Sequence, residues 1–306
     1  MKQAIVLGAT GYIGSKVVKT LIKDDISVLA IGRSDIEKVK KILPIDSIKL
    51  IYLQLDIQNI EELVKTNKWI RWCSNYDTVF YNFAWLGVYK LTDGTLKDQL
   101  KNVGLGSKAV EISSKLGCKK YINAGSQEEY LLDVYLKNSW QKKSYNINSL
   151  NYASAKLINR DMSMLIAYLH KIDYINTRFS IVIDANLSGN GYINKTLRKI
   201  KNNEDFEQPK NIQLFEIIDL EELAKAYVLI GKYGKNKADY YIGNGITHGL
   251  TEYFDMFLAC KSVDSKKILY LKEGKHSKYF DSSNFFNDMQ FKFKKSEDIF
   301  MEVLDK

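Results

Sequence analysis

The sequence predicts an α/β fold in which a doubly wound parallel sheet is followed by a smaller C-terminal region, and three observations support it. Short β-rich runs alternate with amphipathic helical stretches through the first half of the chain. A loop with three glycines joins the first run to the first helix, and after about residue 185 the regular alternation stops. Strands that alternate with helices are typical of βαβ units and of a parallel sheet.

The alternation predicts the elements before residue 185 one by one. The strands are expected at 3–8, 27–32, 48–56, 77–85, 119–126 and 173–182. The helices are expected at 11–23, 35–43, 59–67, about 95–116 and about 150–170. We therefore expect a first domain at 1–185 and a smaller mixed α/β substrate-binding region at 186–306, of which 214–245 returns to the first domain.

Composition excludes several classes of protein. Apolar residues make up 45% of the chain and charged residues 26%, an ordinary balance for a soluble globular protein. No apolar run approaches the roughly 20 residues that a membrane helix needs, and the N-terminus runs straight into the glycine loop without a signal peptide. The cysteines are few and far apart, which favours a reducing, cytoplasmic location with buried thiols: Cys73, Cys118 and Cys260.

The charge distribution bears on partners. The net charge of +9 comes from 40 Lys and five Arg, and the lysines are scattered. A nucleic-acid surface usually shows a concentrated basic stripe with Arg and aromatic residues, so no nucleic-acid partner is expected. A positive field attracts an anionic small substrate such as a nucleotide diphosphate. The histidines show no ligand spacing, so no metal site is predicted: His170, His248 and His276.

The glycine loop "GATGYIG" at 8–14 lies between the first strand and the first helix. Its spacing is related to the dinucleotide fingerprint, in which glycines allow a tight turn and close approach to a pyrophosphate. The helix N-terminus adds free N–H groups and a positive dipole. A Rossmann-type dinucleotide-binding domain is therefore predicted at 1–185. The loop residues expected to contact the cofactor are Gly8, Thr10, Gly11, Tyr12, Ile13 and Gly14.

The end of the second strand, "AIGRSD", bears on the choice of cofactor. Gly32 stands where an acidic residue would bind the ribose 2′-OH of NAD, and Arg33 follows. Because an arginine there accommodates the 2′-phosphate of NADP, NADP(H) is favoured and NAD(H) is the alternative. Arg33 as an exposed loop residue, and an adenosine contact by Asp35, stay open. After the third strand, Asp56 and its neighbour Ile57 are expected near the adenine.

The spacing Tyr-x-x-x-Lys brings two side chains to one helix face, but it has little specificity alone. It occurs at Tyr12/Lys16, Tyr152/Lys156 and Tyr233/Lys237. The first copy belongs to the glycine loop and the third lies at a predicted helix end. The second copy opens the helix that follows the fifth strand, which is the distinctive position.

Taken together, the motifs resemble those of the extended short-chain dehydrogenase/reductase family, which contains NAD(P)-dependent nucleotide-sugar epimerases, dehydratases and ketoreductases. The resemblance covers nearly the whole chain, and Ser126 precedes Tyr152 by 26 residues, as the family implies. The matching segments are GATGYIG at 8–14, NFA at 82–84, Asn102, GSQEEY at 125–130, YASAK at 152–156, FEIIDLEELAKA at 215–226 and YIGNG at 241–245.

The resemblance implies roles for these residues. Tyr152 would be the general acid or base, and Lys156 would contact the nicotinamide ribose and lower the pKa of Tyr152 through its charge. Ser126 would orient the substrate carbonyl or hydroxyl. Phe83, Ala84 and Asn102 would join the cofactor site. The nicotinamide itself would supply the hydride chemistry.

Within the family, the residues after Ser126 discriminate between reactions. A dehydratase would carry an acid and then a glutamate, whereas here Gln127 precedes Glu128. Glutamine cannot protonate a leaving hydroxyl, so dehydration is disfavoured, and Glu128 is either a second base or a structural or exposed residue. Because Arg33 indicates NADPH, an exchangeable reductant, we predict reduction of a 4-keto-6-deoxy nucleotide sugar. An NAD-dependent nucleotide-sugar 4-epimerase is the alternative, and a non-catalytic dinucleotide sensor is the third reading.

The chain departs from the family pattern in two places. Ser180 stands near the point where an Asn and a Gly-Pro are usual, and no arginine precedes the helix that begins near 219. Arg198 and Lys195 are candidates to bind the diphosphate in its place, or one face of an exposed basic helix. Trp85, with Leu86, either lines the substrate pocket or packs in the core. The resemblance also implies a homodimer built on the helices at 95–116 and 150–170.

Overall fold

The computed structural model describes residues 1–87, 95–138, 150–209, 214–262, 275–276 and 278–306. The chain forms two compact units. The first comprises Met1–Arg178 and Ala224–Tyr240, and the second comprises Phe179–Leu223 and Tyr241–Lys306. The predicted division after residue 185 falls inside the second unit, and the functional labels given to the two parts stay predictions.

Within these residues the strands run in chain order as follows: β1 (Gln3–Leu7), β2 (Ser27–Gly32), β3 (Leu50–Gln54), β4 (Thr78–Asn82), β5 (Lys120–Ala124), β6 (Asp173–Arg178), β7 (Ile181–Ile183), β8 (Leu214–Phe215), β9 (Ile217–Asp219), β10 (Asp239–Tyr241), β11 (Ile246–Gly249) and β12 (Lys275–His276). The helices are α1 (Tyr12–Lys23), α2 (Ile36–Lys40), α3 (Glu62–Lys65), α4 (Asn67–Ser74), α5 (Leu96–Lys115), α6 (Gln127–Asn138), α7 (Leu150–Leu169), α8 (Tyr192–Lys201), α9 (Leu220–Tyr233), α10 (Leu250–Lys261), α11 (Ser283–Met289) and α12 (Ser296–Leu304). Short 3₁₀ turns lie at Ile57–Asn59 and Lys278–Phe280.

The main sheet confirms the predicted fold class. Its strand order is β10-β6-β5-β4-β1-β2-β3, seven strands among the residues described. The pairings from β3 through to β6 are parallel. The order reverses between β1 and β4, and in such sheets ligands bind outside the carboxyl ends of the strands at this switch point.

The sheet has an apolar core on both faces because successive strand residues point to opposite sides. Phe80 stacks on Tyr121 with ring centroids 5.4 Å apart, and Tyr121 stacks on Tyr174 at 6.1 Å. On the other face Tyr81 meets Tyr227 of α9 edge to face at 6.4 Å. The first unit is thus covered by helices on both sides of its sheet.

The second unit has its own small sheets and core. Strands β7 and β9 pair in parallel, and β11 pairs with β8 and β12 antiparallel. One apolar cluster of this unit is formed by β7, β9, the helices α8, α10 and α12, and Leu187. Aromatic rings are prominent there, as where Phe257 meets Phe300 at 5.2 Å.

Three local predictions need correction. The strand expected at 173–182 is two strands, since Ile181 leaves the main sheet and donates its N–H to the Glu216 carbonyl at 3.0 Å. The helix expected at 59–67 is interrupted by Thr66, whose extended backbone (φ −122°, ψ 149°) separates α3 from α4. Helix α6 is not predicted from the sequence, and its first residues coincide with the GSQEEY motif.

Across the part of the chain that the structure describes, no helix has both the length and the apolar character needed to span a bilayer.

Candidate active site

The glycine loop brings three backbone segments into close contact at the carboxyl end of β1. Gly8 has φ +82°, and a Cβ there would lie 2.9 Å from backbone atoms of Phe83 and Ala84. A Cβ on Gly14 would lie 2.3 Å from the Gly8 carbonyl oxygen. Only glycine fits these positions without backbone movement. The loop is therefore as tightly built as a pyrophosphate-binding turn requires.

Helix α1 starts directly behind this loop. Its N-cap is Gly11, which offers no side-chain cap to the first-turn N–H groups. Such a helix start suits an anion, because the N–H groups and the helix dipole are both directed at it. Tyr12 and Ile13 form the first turn and are half-buried. These features fit a dinucleotide, so the predicted cofactor contacts of the loop are geometrically consistent.

The end of β2 meets the loop through Thr10. A Cβ on Gly32 would lie 2.9 Å from the Thr10 hydroxyl oxygen, so a larger side chain at 32 requires the Thr10 side chain to move. The Tyr52 hydroxyl lies 3.0 Å from the Gly32 carbonyl oxygen and 2.6 Å from that of Ser34. The absence of an acidic side chain at 32 is thus built into the packing.

Arg33 extends from this turn and remains largely exposed. Its side chain is 65% exposed, and its Nε lies 3.9 Å from an Asp56 carboxylate oxygen. Asp56 also accepts the Gln58 N–H at 2.8 Å, and Asp35 caps α2 by accepting the Lys38 N–H at 3.0 Å. Ile57 is buried. The structure brings the two sequence-predicted residues Arg33 and Asp56 together, whereas the Asp35 side chain caps the N-terminus of α2.

Tyr152 and Lys156 lie on one buried face of α7, opposite the end of β5. The Lys156 ammonium donates to the Ala124 carbonyl at 2.8 Å, and the Ser126 side chain lies near enough to the Tyr152 phenol to oppose the rise of its pKa. The ammonium lies 5.8 Å from the centre of the Tyr152 ring. Three of the residues predicted from the resemblance therefore form one cluster with side chains from β5, its following turn and α7.

Trp85 completes this cluster. Its indole ring lies 3.9 Å from the Lys156 ammonium and meets the Tyr152 ring edge to face at 5.9 Å. Its Nε1 donates to Gln99 at 2.9 Å, which holds the ring in this orientation. A cation over an indole face is a favourable electrostatic contact. Trp85 thus packs against the candidate catalytic pair.

The electrostatics of the pair are dominated by burial. Burial raises the pKa of the Tyr152 phenol, while the hydrogen bond with Ser126 acts in the opposite direction. Burial lowers the pKa of Lys156 to about 8, and the charge of Glu129 opposes this. A lowered tyrosine pKa is expected from the lysine four residues on, but in this cluster desolvation of the phenolate is the larger influence and raises it.

Glu129 was missed from the sequence. It is completely buried, and its carboxylate accepts the Ser126 N–H at 3.1 Å and the Asn176 side-chain N–H at 2.7 Å. The Ser126 hydroxyl in turn accepts the Glu128 N–H at 3.2 Å. The glutamate half of a capping box is present, with the serine hydroxyl accepting the N–H two residues on instead of three, and its Ser-x-x-Glu signature is visible in the sequence. That signature predicts the start of α6, although not the burial of the glutamate.

The other residues predicted in the first unit surround the cluster. Asn102 of α5 holds the Leu86 backbone from both sides, accepting its N–H at 2.8 Å and donating to its carbonyl at 3.0 Å. Phe83 packs edge to face on Tyr227 at 4.7 Å. Gln127 is buried and Glu128 half-buried in the first turn of α6. Asn102 therefore shapes the loop after β4.

Two predicted substrate residues belong to the second unit. The Ser180 hydroxyl accepts the Glu216 N–H at 3.2 Å. Arg198 donates to the Leu187 carbonyl and, at 3.0 Å, to the Gly189 carbonyl. Both side chains stabilise local backbone in the structure, and a substrate contact by either stays a prediction.

The third Tyr-x-x-x-Lys copy, the cysteines and the histidines lie outside the cluster. Tyr233 is the last residue of α9 and is 61% exposed, while Lys237 lies over the Tyr168 ring at 5.8 Å. The cysteines are free and buried. Within the described ranges no cluster of His, Cys, Asp or Glu is arranged to hold a metal ion.

Comparisons with known proteins agree with this geometry. The chain is 24% identical over 273 residues to CDP-abequose synthase from Salmonella muenchen, covering 88% of this chain and 84% of the relative. The fold is similar to that of a UDP-glucuronic acid 4-epimerase from Bacillus cereus, solved with a UDP sugar analogue and NAD, with TM-score 0.73, 15% identity and coverage of 99% and 98% of the two chains. It is also similar to a UDP-N-acetylglucosamine 4-epimerase from Methanobrevibacter ruminantium, with TM-score 0.71, 20% identity and coverage of 99% and 97%.

A family model provides the assignment. The model described as the NAD dependent epimerase/dehydratase family matches residues 4–243, which include the glycine loop, the Ser126 turn and the Tyr152/Lys156 helix. The resemblance found from the motifs is thereby confirmed, and the chain belongs to the NAD dependent epimerase/dehydratase family.

Proposed function

We propose that this protein reduces the keto group of a 4-keto-6-deoxy nucleotide sugar with NADPH. The observation that carries the proposal is the cluster of Ser126, Tyr152 and Lys156, in which the serine side chain acts on the tyrosine pKa and the lysine ammonium lies 5.8 Å from the centre of the tyrosine ring on the same helix face. Such an arrangement supplies one proton and one orienting hydroxyl to a carbonyl oxygen.

The residues of the first unit have distinct parts in this reaction. Tyr152 donates its phenolic proton to the substrate oxygen, and Ser126 hydrogen bonds with the same oxygen and orients it. Lys156 carries the positive charge that stabilises the tyrosinate left behind. The bound dinucleotide would supply the hydride, held by the loop of Gly8, Gly11 and Gly14.

The preference for NADPH is supported at the end of β2. An acidic side chain at 32, which would bind a free 2′-hydroxyl, would require the Thr10 side chain to move. The Arg33 side chain is 65% exposed, so its guanidinium is available to a 2′-phosphate in exchange for its 3.9 Å contact with Asp56. NAD(H) remains the alternative cofactor.

Net reduction is supported over dehydration by the side chains after Ser126. Gln127 occupies the position where a leaving hydroxyl would need an acid, and a glutamine side chain has no proton to give. The similarity to a protein named CDP-abequose synthase supports a nucleotide sugar as the substrate class. The nucleotide and the sugar are left open by these arguments.

An NAD-dependent nucleotide-sugar 4-epimerase is the second candidate. It is favoured by the two solved structures described above, because both proteins are 4-epimerases of UDP sugars and share this fold. A non-catalytic sensor is the third, and the simultaneous presence of serine, tyrosine and lysine in one cluster weighs against it.

Cofactor state tests the proposal first. The purified protein is denatured, any released nucleotide is identified, and NADPH and NADH are titrated by fluorescence. An empty site that prefers NADPH, followed by NADPH oxidation with 4-keto nucleotide sugars, is the expected result. Tightly bound NAD⁺ that is never released during turnover would instead identify the epimerase.

We also propose a homodimer formed through α5 and α7. Apolar side chains on the outer faces of these helices are 40% to 74% exposed: Leu96, Leu100, Ile158, Met162, Leu165 and Leu169. Light scattering should give twice the chain mass, and Leu165→Glu should give the mass of one chain. A monomeric mass for the unaltered protein would refute this assembly.

A further inference from the structure

Glu129 is the most completely buried carboxylate beside the candidate catalytic pair. Its two oxygens accept the Ser126 N–H at 3.1 Å and the Asn176 side-chain N–H at 2.7 Å. A Cβ on Gly125 would lie 2.6 Å from one of them, so the carboxylate packs directly against the turn that follows β5. Lys156 of α7 donates to the Ala124 carbonyl at 2.8 Å, so the Glu129 carboxylate and the Lys156 ammonium both contact the same turn, residues 124–126.

The burial of Glu129 and that of Lys156 affect each other. Burial raises the pKa of Glu129 to about 7, and the charge of Lys156 lowers it. Burial lowers the pKa of Lys156 to about 8, and the charge of Glu129 raises it. Each group therefore stabilises the charged form of the other in a region where solvent cannot do so.

Other charged or titratable groups face Glu129 from four elements besides its own. They are Tyr152, Lys156 and Arg160 on α7, Tyr174 on β6, Tyr227 on α9 and Asp239 on β10, with Glu128 next to it on α6. Arg160 already pairs with Asp161 and Asp133, and Asp239 pairs with Arg178 at 2.9 Å. Among the ion pairs of the described residues Lys156 has no such carboxylate, and Glu129 is the group whose charge opposes the effect of burial on it.

We propose that Glu129 is a positioning residue that sets the protonation state of Lys156 and, through Lys156 and the Ser126 turn, that of Tyr152. An ionised Glu129 keeps Lys156 charged, and a neutral one leaves the burial of the ammonium uncompensated. The consequence for turnover rests on the proposed function, because that function assigns the reaction to Tyr152 and Lys156. The coupling between Glu129 and Lys156 is independent of the proposed function.

Carbon-13 NMR of lysine side chains in the cofactor-free protein measures the coupling directly. Exposed lysines titrate near pH 10.4, whereas Lys156 is expected to titrate near 8. Its resonance is the one lost in Lys156→Met, which also separates it from Lys120, another lysine whose pKa is lowered by burial. In Glu129→Gln the Lys156 midpoint should move to lower pH, because the compensating charge is gone.

The reciprocal experiment uses the carboxyl resonance of Glu129. In the unaltered protein it should titrate near pH 7, and in Lys156→Met its midpoint should move to higher pH. Linkage requires the two shifts to be equal in size. This arm needs no change at Glu129, so the proposal stays testable if Glu129→Gln does not fold.

Glu216→Gln is the matched control. Glu216 is an equally buried carboxylate in the second unit, so its loss should leave the Lys156 midpoint unchanged. A Lys156 midpoint that does not move in Glu129→Gln, or a Glu129 midpoint that does not move in Lys156→Met, would mean that Glu129 only caps α6. The titrations measure no turnover, so failure to find a keto-sugar substrate would not contradict the coupling of Glu129 with Lys156. Absence of the coupling would likewise not contradict the proposed reaction.

Discussion

Two buried glutamates, one in each unit, have similar burial and different surroundings. Glu129 is 0% exposed and Glu216 is 1% exposed, and burial raises the pKa of each to about 7. Glu216 accepts the Tyr241 hydroxyl at 2.8 Å and the backbone N–H groups of Asn244 and Gly245 at 2.5 Å and 3.1 Å. Its donors are all neutral, and they close the turn after β10.

Glu129 differs in facing the ammonium of Lys156 as well as neutral donors. Neutral donors fix the position of a carboxylate, whereas a nearby cation also links its ionisation to that of another group. The comparison teaches that burial and a raised pKa do not by themselves indicate a functional site. The charged neighbours distinguish the two carboxylates, because only Glu129 has a lysine of the candidate catalytic pair among them.

The largest expected effect is a loss of turnover when Tyr152, which lies in the same unit as Glu129, is replaced. Tyr152→Phe should lower turnover by about 10² to 10⁴-fold, the usual loss when a general acid is removed, and should leave dinucleotide binding intact. Tyr233→Phe, at the exposed end of α9, is the control and should keep full turnover. Steady-state rates with NADPH and fluorescence titration of the cofactor measure both. Full activity in Tyr152→Phe would place the chemistry elsewhere.

The second effect concerns Glu216 as a structural carboxylate. Its pKa is raised from an ordinary 4.5 to about 7, so its contribution to stability is full below pH 4.5 and is lost as the pH rises through 7. The loss amounts to about 3 kcal/mol. In Glu216→Gln the free energy of unfolding should not show this decrease with rising pH.

Urea denaturation at pH 5 and pH 8 measures that difference. The free energy of unfolding of the unaltered protein should decrease relative to that of Glu216→Gln over this range. Parallel pH curves for the two proteins would show that the pKa of Glu216 is not raised by burial. The two glutamates would then not share a raised pKa.

A third effect tests the glycine loop, which lies in the same unit as Glu129. Gly14→Ala places a Cβ 2.3 Å from the Gly8 carbonyl oxygen, and the forced backbone shift should weaken dinucleotide binding by about 1–3 kcal/mol. Gly104→Ala is the control, since a Cβ there meets no atom within 4 Å. Calorimetric titration with NADPH compares the two. Equal affinities would mean that the loop does not bind the cofactor.

The smallest effect concerns the exposed arginine. Arg33→Ala should weaken NADPH binding about tenfold by removing a charge-assisted contact to the 2′-phosphate, and should leave NADH binding unchanged. Lys38→Ala removes a neighbouring exposed cation as a control. An equal loss of affinity for both cofactors would show that Arg33 does not distinguish them. Arg33 would then give no support for a preference for NADPH.

Local patterns predicted most of the first unit. Each of its first six strands was expected within a few residues of its observed position, because strand and helix periodicities are repeated over short windows. Tyr152 and Lys156 share a helix face for the same local reason. The prediction failed where a distant segment intervened, as when Ile181 left the main sheet to pair beside Glu216.

The sequence by itself determined the parallel sheet, the glycine loop and the pairing of Tyr152 with Lys156, because turn chemistry and periodicity act over a few neighbouring residues. The tertiary structure alone decided that Glu129 is buried against Asn176 and faces Lys156. It also decided that Trp85 covers the ammonium. Strand order brings these residues together from distant parts of the chain, and desolvation and charge act through space, so no local pattern encodes them.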